Sequence, residues 1–132
     1  MTMTTYLADS SAWIDYLRRA DSPLRPHVRD NTAGHTEPVA MELLSGTTSE
    51  ASSREVERLL LRSPFMAFDS AADFPAATEI RRRALREGLR VGGIDCLILA
   101  VAGRRGTTLI TKDRSQAALA SAFGISAVLL DA

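Results

Sequence analysis

Four acidic residues carry the chemistry this chain is best equipped to perform. Asp9 comes directly after an apolar, β-branched run, Thr4–Ala8, and Asp113 comes two residues after another, Thr107–Thr111. Glu42 is flanked by Met41, Leu43 and Leu44, and Asp95 sits between Ile94 and the run Cys96–Leu99. A carboxylate beside buried apolar surface must be raised in pKa or given a cation. Two carboxylates about 4 Å apart repel by roughly 4 kcal/mol at an effective dielectric near 20. Several such pairs would consume most of a stability of about 5–15 kcal/mol, so converging acids would require protonation or a divalent ion. All-oxygen donors favour Mg2+ or Mn2+, because zinc prefers histidine or cysteine.

Each acid also has an ordinary explanation. Asp9 can cap the helix that follows it. Asp95 can complement the positive end of a helix, Asp113 can start the next one, and Glu42 can face solvent. What separates these explanations from chemistry is whether the four meet at one place.

The elements that would bring them together alternate strand and helix along the chain. Thr4–Ala8 reads as a strand and residues 11–19 as a helix, from Trp13, Ile14, Tyr16 and Leu17 at helical spacing. Leu24–Asp30 reads as a short helix. Glu37-Pro38-Val39 reads as a short strand entering a helix through Glu42 that ends at Gly46. Ser52-Ser53-Arg54-Glu55 fits a capping box opening the next helix, and Pro64–Phe68 reads as a strand. Ser70–Asp73 begins a long helix that stops at Gly88. Gly92-Gly93 precedes the helix Ile94–Arg104, whose Ile94–Ala102 stretch is apolar almost all round and so is expected to lie deep in the core. The strand Thr107–Thr111, the helix Ser115–Phe123 and the strand Ser126–Leu130 complete the order.

Such alternation implies an α/β fold with a mainly parallel central sheet and helices on both faces. Ligand sites in these folds lie beyond the carboxyl ends of the strands, at a topological switch point. Asp9 and Asp113 occupy such positions. With 132 residues, a single domain spanning 1–132 is expected.

Four segments, "LADSSAWIDYL", "VAMELLSG", "GGIDCLILAVA" and "LITKD", occur in that order. Together they resemble the signature segments of PIN domains, and more narrowly those of VapC-type toxins from VapBC toxin–antitoxin modules. The resemblance runs from about Leu7 to Asp113. It implies a PIN-like three-layer α/β/α fold and a Mg2+- or Mn2+-dependent endoribonuclease that hydrolyses RNA phosphodiester bonds. In it Asp9, Glu42, Asp95 and Asp113 form the acidic pocket, with Asp9 and Asp95 the central metal ligands. Glu42 and Asp113 complete the cluster directly or through water. Ser11 and Thr111 are the candidate supports for Asp9 and Asp113, although helix capping and strand termination account for them equally well. The resemblance also implies a cognate VapB-type antitoxin lying across the active site, and a homodimer. One departure stands out: many relatives carry a further acid soon after the last aspartate, where this chain has Arg114-Ser115-Gln116.

The remaining charged residues divide less sharply. Net charge is +0, which argues against a broad basic footprint for nucleic acid without excluding an acidic nuclease centre. Lys112 and Arg114 flank Asp113 and are the candidate RNA contacts. Arg81-Arg82-Arg83, Arg86 and Arg90 form the densest basic run, whose default reading is a solvated helix face. Asp69 is assigned to helix starting, and Asp15, Asp73 and Asp131 to surface or capping positions. His27 and His35 lie in no metal-ligand spacing, and Cys96 is expected to pack in the core.

The hydrophobic fraction of 45% has no apolar run near the length of a membrane span. The N-terminus lacks a signal-peptide layout, and one cysteine allows no internal disulfide, so a cytoplasmic protein is expected. Two other classes remain open: a PIN-like module that binds RNA or a partner without cleaving, and a receiver-like signalling domain. The latter needs paired acids after the first strand, where this chain has Asp9 followed by serines.

Overall fold

A computed structural model describes residues 4–131. Its elements are β1 (Tyr6–Ala8), α1 (Ser10–Arg18), α2 (Arg25–Arg29), β2 (Ala33–Gly34), α3 (Glu37–Ser45), α4 (Glu50–Arg62), α5 (Ser70–Glu87), α6 (Gly93–Arg105), β3 (Thr108–Thr111), α7 (Arg114–Ala122) and β4 (Ala127–Leu129).

The four strands form one sheet in the order β2-β1-β3-β4, and every pairing is parallel. Chain order therefore reverses between β1 and β3: β2 lies on one side of β1, and β3 and β4 lie on the other. Tyr6, Leu7 and Ala8 pair with Thr108, Leu109 and Ile110, so the two strands end within one residue of each other. The expected parallel α/β sheet is present, flanked by helices. The expected deep burial of α6 is also present: Cys96, Ile98, Leu99, Ala100, Val101 and Ala102 are all buried. Leu7, Leu109, Ile110, Trp13 and Leu119 fill the space between sheet and helices. Trp13 donates its indole N–H to Gly34 O at 3.2 Å, tying α1 to β2. Gly34 lies so close to β1 that an added Cβ would sit 2.9 Å from Tyr6 O.

Three local expectations are corrected. Glu37-Pro38-Val39 is the first turn of α3 and not a strand; the strand lies upstream, at Ala33–Gly34. Proline is at home there, since its missing N–H would have no helical partner in the first turn. The capping box of α4 uses Ser49 and Ser52, starting the helix earlier than Ser52–Glu55 implied. Pro64–Phe68 contributes only a single parallel bridge, Phe65 to His35, held by His35 N–H to Pro64 O and Met66 N–H to His35 O. Its apolar, aromatic composition cannot distinguish such a bridge from a strand, because the partner β2 is itself only two residues long.

Among the described residues, no helix is long and apolar enough to cross a membrane.

Candidate active site

The end of β1 delivers Asp9 into the sheet's reversal point. Asp9 is buried, and its Oδ1 accepts the Ala12 backbone N–H at 3.0 Å, so it does cap α1. Capping does not exhaust its contacts, since Ser11 Oγ also donates to Oδ1, at 2.6 Å. Burial pushes the Asp9 pKa above its ordinary value; the Ser11 and Thr111 hydroxyls and the Ala12 N–H oppose that rise, and the Asp113 charge adds to it.

Asp113 is positioned in the same way at the neighbouring strand end. It caps α7 through Oδ1, which accepts Ser115 N–H at 2.8 Å and Gln116 N–H at 3.3 Å. Its own N–H donates to Thr111 Oγ1 at 3.0 Å, and that hydroxyl lies 3.3 Å from Ser11 Oγ. A hydroxyl pair therefore links the Asp9 carboxylate to the Asp113 backbone N–H.

Asp95 occupies the first turn of α6 and Glu42 the middle of α3. Burial raises the Asp95 pKa to about 6, and the charges of Asp9, Glu42 and Asp113 push in the same direction. Glu42 accepts a hydrogen bond from Ser10 Oγ, so α1 meets this acid one residue away from the hydroxyl that meets Asp9. Gln116 donates from Nε2 to Asp95 O at 3.1 Å, linking α7 to α6. The four acids thus share one electrostatic environment, cross-linked by Ser10, Ser11, Thr111 and Gln116.

Among the described residues, no three acidic, histidine or cysteine side chains are already closed into a ligand cage. The donor set nonetheless fits a hard divalent ion, because it offers carboxylate oxygens and an Asp95 whose ionisation the neighbouring acids disfavour. Asp95 feels the charges of Asp9, Glu42 and Asp113, and Asp9 feels that of Asp113, so a cation among them would remove the repulsion that burial magnifies.

Sequence reasoning missed three residues. Ser10 was overshadowed by Ser11 beside it. Gln116 stands three residues after Asp113, a capping-box spacing that signals it, although its amide reaches Asp95 and not the Asp113 backbone. Its side chain is fully buried and its Oε1 has no protein partner. Asp15, expected at the surface, is instead largely buried on α1. It accepts Ser22 Oγ at 2.6 Å, contacts Arg19 Nε at 2.8 Å and meets Lys112 Nζ at 3.0 Å. These donors, the Ser22 hydroxyl foremost, hold its pKa down at about 2 against the effect of burial.

The expected RNA contacts differ in availability. Arg114 is exposed, whereas the Lys112 ammonium is engaged by Asp15. On α5, Arg82 pairs with Glu79 and Arg83 with Glu87 along the exposed surface, as a solvated face should. Asp69 caps α5 as assigned. Asp73 does accept the Asp69 N–H, but it is not a surface residue: it is fully buried and clasped by Arg104, with Nε to Oδ1 at 2.8 Å and Nη2 to Oδ2 at 3.0 Å. Cys96 packs in the core, where burial raises its thiol pKa.

Residues 6–122 match the family model described as the PIN domain. A protein from Mycobacterium bovis named VapC ribonuclease Mb1587 is 39% identical over 114 residues, covering 81% of this chain and 85% of that one. Ribonuclease VapC11 of Mycobacterium tuberculosis matches to the same extent. Among solved structures, DNA-bound VapBC from Salmonella typhimurium is similar at a TM-score of 0.77 and 25% identity, covering 96% of this chain and 98% of that one. VapBC-1 from nontypeable Haemophilus influenzae shares the fold at a TM-score of 0.77 and 16% identity, with the same coverage of both chains.

Proposed function

The chain belongs to the PIN-domain family, and on that premise we propose that it is an endoribonuclease toxin of a VapBC-type module, acting as one nuclease domain. Relatives that are 39% identical and named VapC ribonucleases support the activity. The observation that carries the site is the grouping near the ends of β1 and β3 of the hydrogen-bonded Asp9, Glu42 and Asp113 carboxylates, with Asp95 lying in their field. Its electrostatic signature is the Asp95 pKa near 6.

In this proposal Asp9 and Asp95 hold a Mg2+ or Mn2+ ion, with Glu42 and Asp113 completing the cluster. When bound, the ion supplies Lewis acidity that activates water and offsets charge developing at the scissile phosphate. The protein's own part is preorganisation. Ser11 and the Ala12 N–H fix the Asp9 carboxylate, while Ser10 fixes Glu42. The α7 N-terminal N–H groups fix Asp113. Because burial and neighbouring carboxylates disfavour ionisation of Asp9 and Asp95, cation binding and the charged state of these groups reinforce each other. Arg114, exposed beside Asp113, meets an RNA phosphate.

The partners follow from the same membership. A cognate VapB-type antitoxin covers the acidic site, and the toxin pairs as a homodimer in the cytoplasm, where its RNA is. Solved VapBC relatives support the antitoxin partnership, the Salmonella complex foremost.

The test is induction of the wild-type protein and Asp9→Asn in cells, with new RNA 5′ ends mapped in each. Wild type is expected to arrest growth and produce discrete new ends; Asp9→Asn is expected to do neither while remaining folded. Equal cleavage by the two proteins, with contaminating nuclease excluded, overturns the site assignment. RNA binding without turnover, insensitive to EDTA, would point to a non-catalytic binding module.

A further inference from the structure

Lys112 touches α1 twice. Its backbone N–H donates to Ser11 Oγ at 3.0 Å, and its ammonium contacts Asp15 Oδ1 at 3.0 Å. Ser11 and Asp15 are four residues apart on one helix and therefore face the same way, about one turn apart along the axis. Two attachment points a turn apart fix the rotation of the β3–α7 turn as well as its distance from α1. The next residue is Asp113, and Ser11 is the hydroxyl that holds Asp9.

Asp15 is prepared for this role independently of Lys112. Ser22 Oγ and Arg19 orient its carboxylate from the segment following α1, and only 9% of its side chain is exposed. The Lys112 side chain is itself 24% exposed, so its ammonium is partly withdrawn from the solvent through which RNA would approach. Moving Lys112 onto a phosphate would break a contact to a nearly buried carboxylate. Breaking such a pair costs more than breaking an exposed one, because it leaves a nearly buried carboxylate without its partner.

We propose that Lys112 is a positioning residue: its two-point attachment to Ser11 and Asp15 sets the placement of Asp113 relative to Asp9, and it does not contact RNA. This rests on the site reading above and deepens it, assigning to Asp15 a part in the same device. It also divides two neighbouring cations by role, leaving Arg114 to the substrate and Lys112 to the site.

The experiment compares Lys112→Met, Lys112→Arg, Asp15→Asn and the Lys112→Met/Asp15→Asn double variant, with Asp9→Asn alongside. Single-turnover cleavage at saturating RNA and RNA binding in EDTA across a salt series are read for each. Loss of the clamp is expected to lower kcat about 10- to 100-fold, the scale on which a misplacement near 1 Å acts. RNA affinity and its salt slope should stay at wild-type values in Lys112→Met, the double variant should be no slower than the worse single one, and Lys112→Arg should recover most of the rate. A phosphate contact gives the opposite pattern: weaker binding, a salt slope smaller by about 0.7, and kcat retained at saturation. That pattern overturns the proposal, as does multiplicative loss in the double variant. If Lys112→Met does not fold, Lys112→Gln and Asp15→Asn carry the same comparison. An inactive Asp9→Asn with a fully active Lys112→Met defeats the clamp alone, whereas an active Asp9→Asn defeats the site reading itself.

Discussion

Ser11 Oγ donates to Asp9 Oδ1 at 2.6 Å, making a serine two residues downstream the shortest support of the most buried acid in the site. A hydroxyl bonded to a carboxylate contributes about 1.5–3 kcal/mol, so its removal should be felt both in the pKa and in the rate. Ser11→Ala is expected to raise the Asp9 pKa further and to slow cleavage by roughly 10- to 100-fold, with the fold retained through the Ala12 N–H cap. Single-turnover rates and circular dichroism of the variant check this together.

Asp95 makes a prediction about stability whose sign runs against ordinary acid denaturation. Its folded-state pKa is about 6 against 3.8 for an unperturbed aspartate. Between those values the folded protein keeps a proton the unfolded chain has released, so this group's contribution to stability falls as pH rises through that window. Asp95→Asn removes the penalty. In EDTA at pH 7.5 the variant is expected to melt roughly 3–6 °C above wild type, corresponding to about 1 kcal/mol after allowance for partial solvation. At pH 4 the difference should vanish, and equal midpoints at both pH values would count against the carboxylate grouping.

Divalent ions should reverse that ordering. A ligand that binds only the folded state stabilises it by about 2.7 kcal/mol at a hundred times its dissociation constant. Mg2+ or Mn2+ is therefore expected to raise the melting midpoint of wild type and to leave Asp9→Asn and Asp95→Asn almost unmoved. EDTA should stop cleavage, and added ion should restore it. Thermal scans over an ion titration read the effect without reference to activity.

Far from the acids, Arg104 clasps the fully buried Asp73 and also donates to Ala67 O at 2.7 Å. Arg104→Met leaves that carboxylate unpaired and is expected to cost about 3 kcal/mol. Replacing both partners in Arg104→Met/Asp73→Leu should recover much of the loss, because burying neither charge avoids the desolvation penalty. Cleavage by both variants below their melting midpoints should match wild type. Urea unfolding and a rate assay at 20 °C test the separation of stability from catalysis.

Apolar periodicity and helix punctuation made most of the order of strands and helices legible in the sequence, Pro64–Phe68 excepted. Gly88 and Gly106, at φ of 66° and 62°, end α5 and α6 where the sequence marks them, because left-handed backbone favours glycine. Asp9 and Asp113 were legible because each comes within two residues of the end of a β-branched run, and Glu42 and Asp95 because an acid among apolar residues needs a reason. The strand at Glu37-Pro38-Val39 was misplaced because proline fits both a strand's first residue and a helix's first turn; pairing with β1 at Ala33–Gly34 decides between them.

What only the tertiary structure decided is which groups face one another. Composition marks Asp15 and Asp73 as polar and therefore outside, yet Lys112 and Arg104 reach them from 97 and 31 residues away. Such pairs carry no local signature, since a charge is tolerated in the interior only when a distant segment brings its partner. Nor could the sequence choose between Asp9 as cap and Asp9 as site residue, because both need an aspartate at the end of a strand. The parallel register that pairs β1 with β3 makes it both: one carboxylate holds α1 through Ala12 and stands beside Asp113 through Ser11 and Thr111. The sequence by itself determined the residue types, their order and the fold class they demand. The sheet determined that four acids widely separated along the chain share one field.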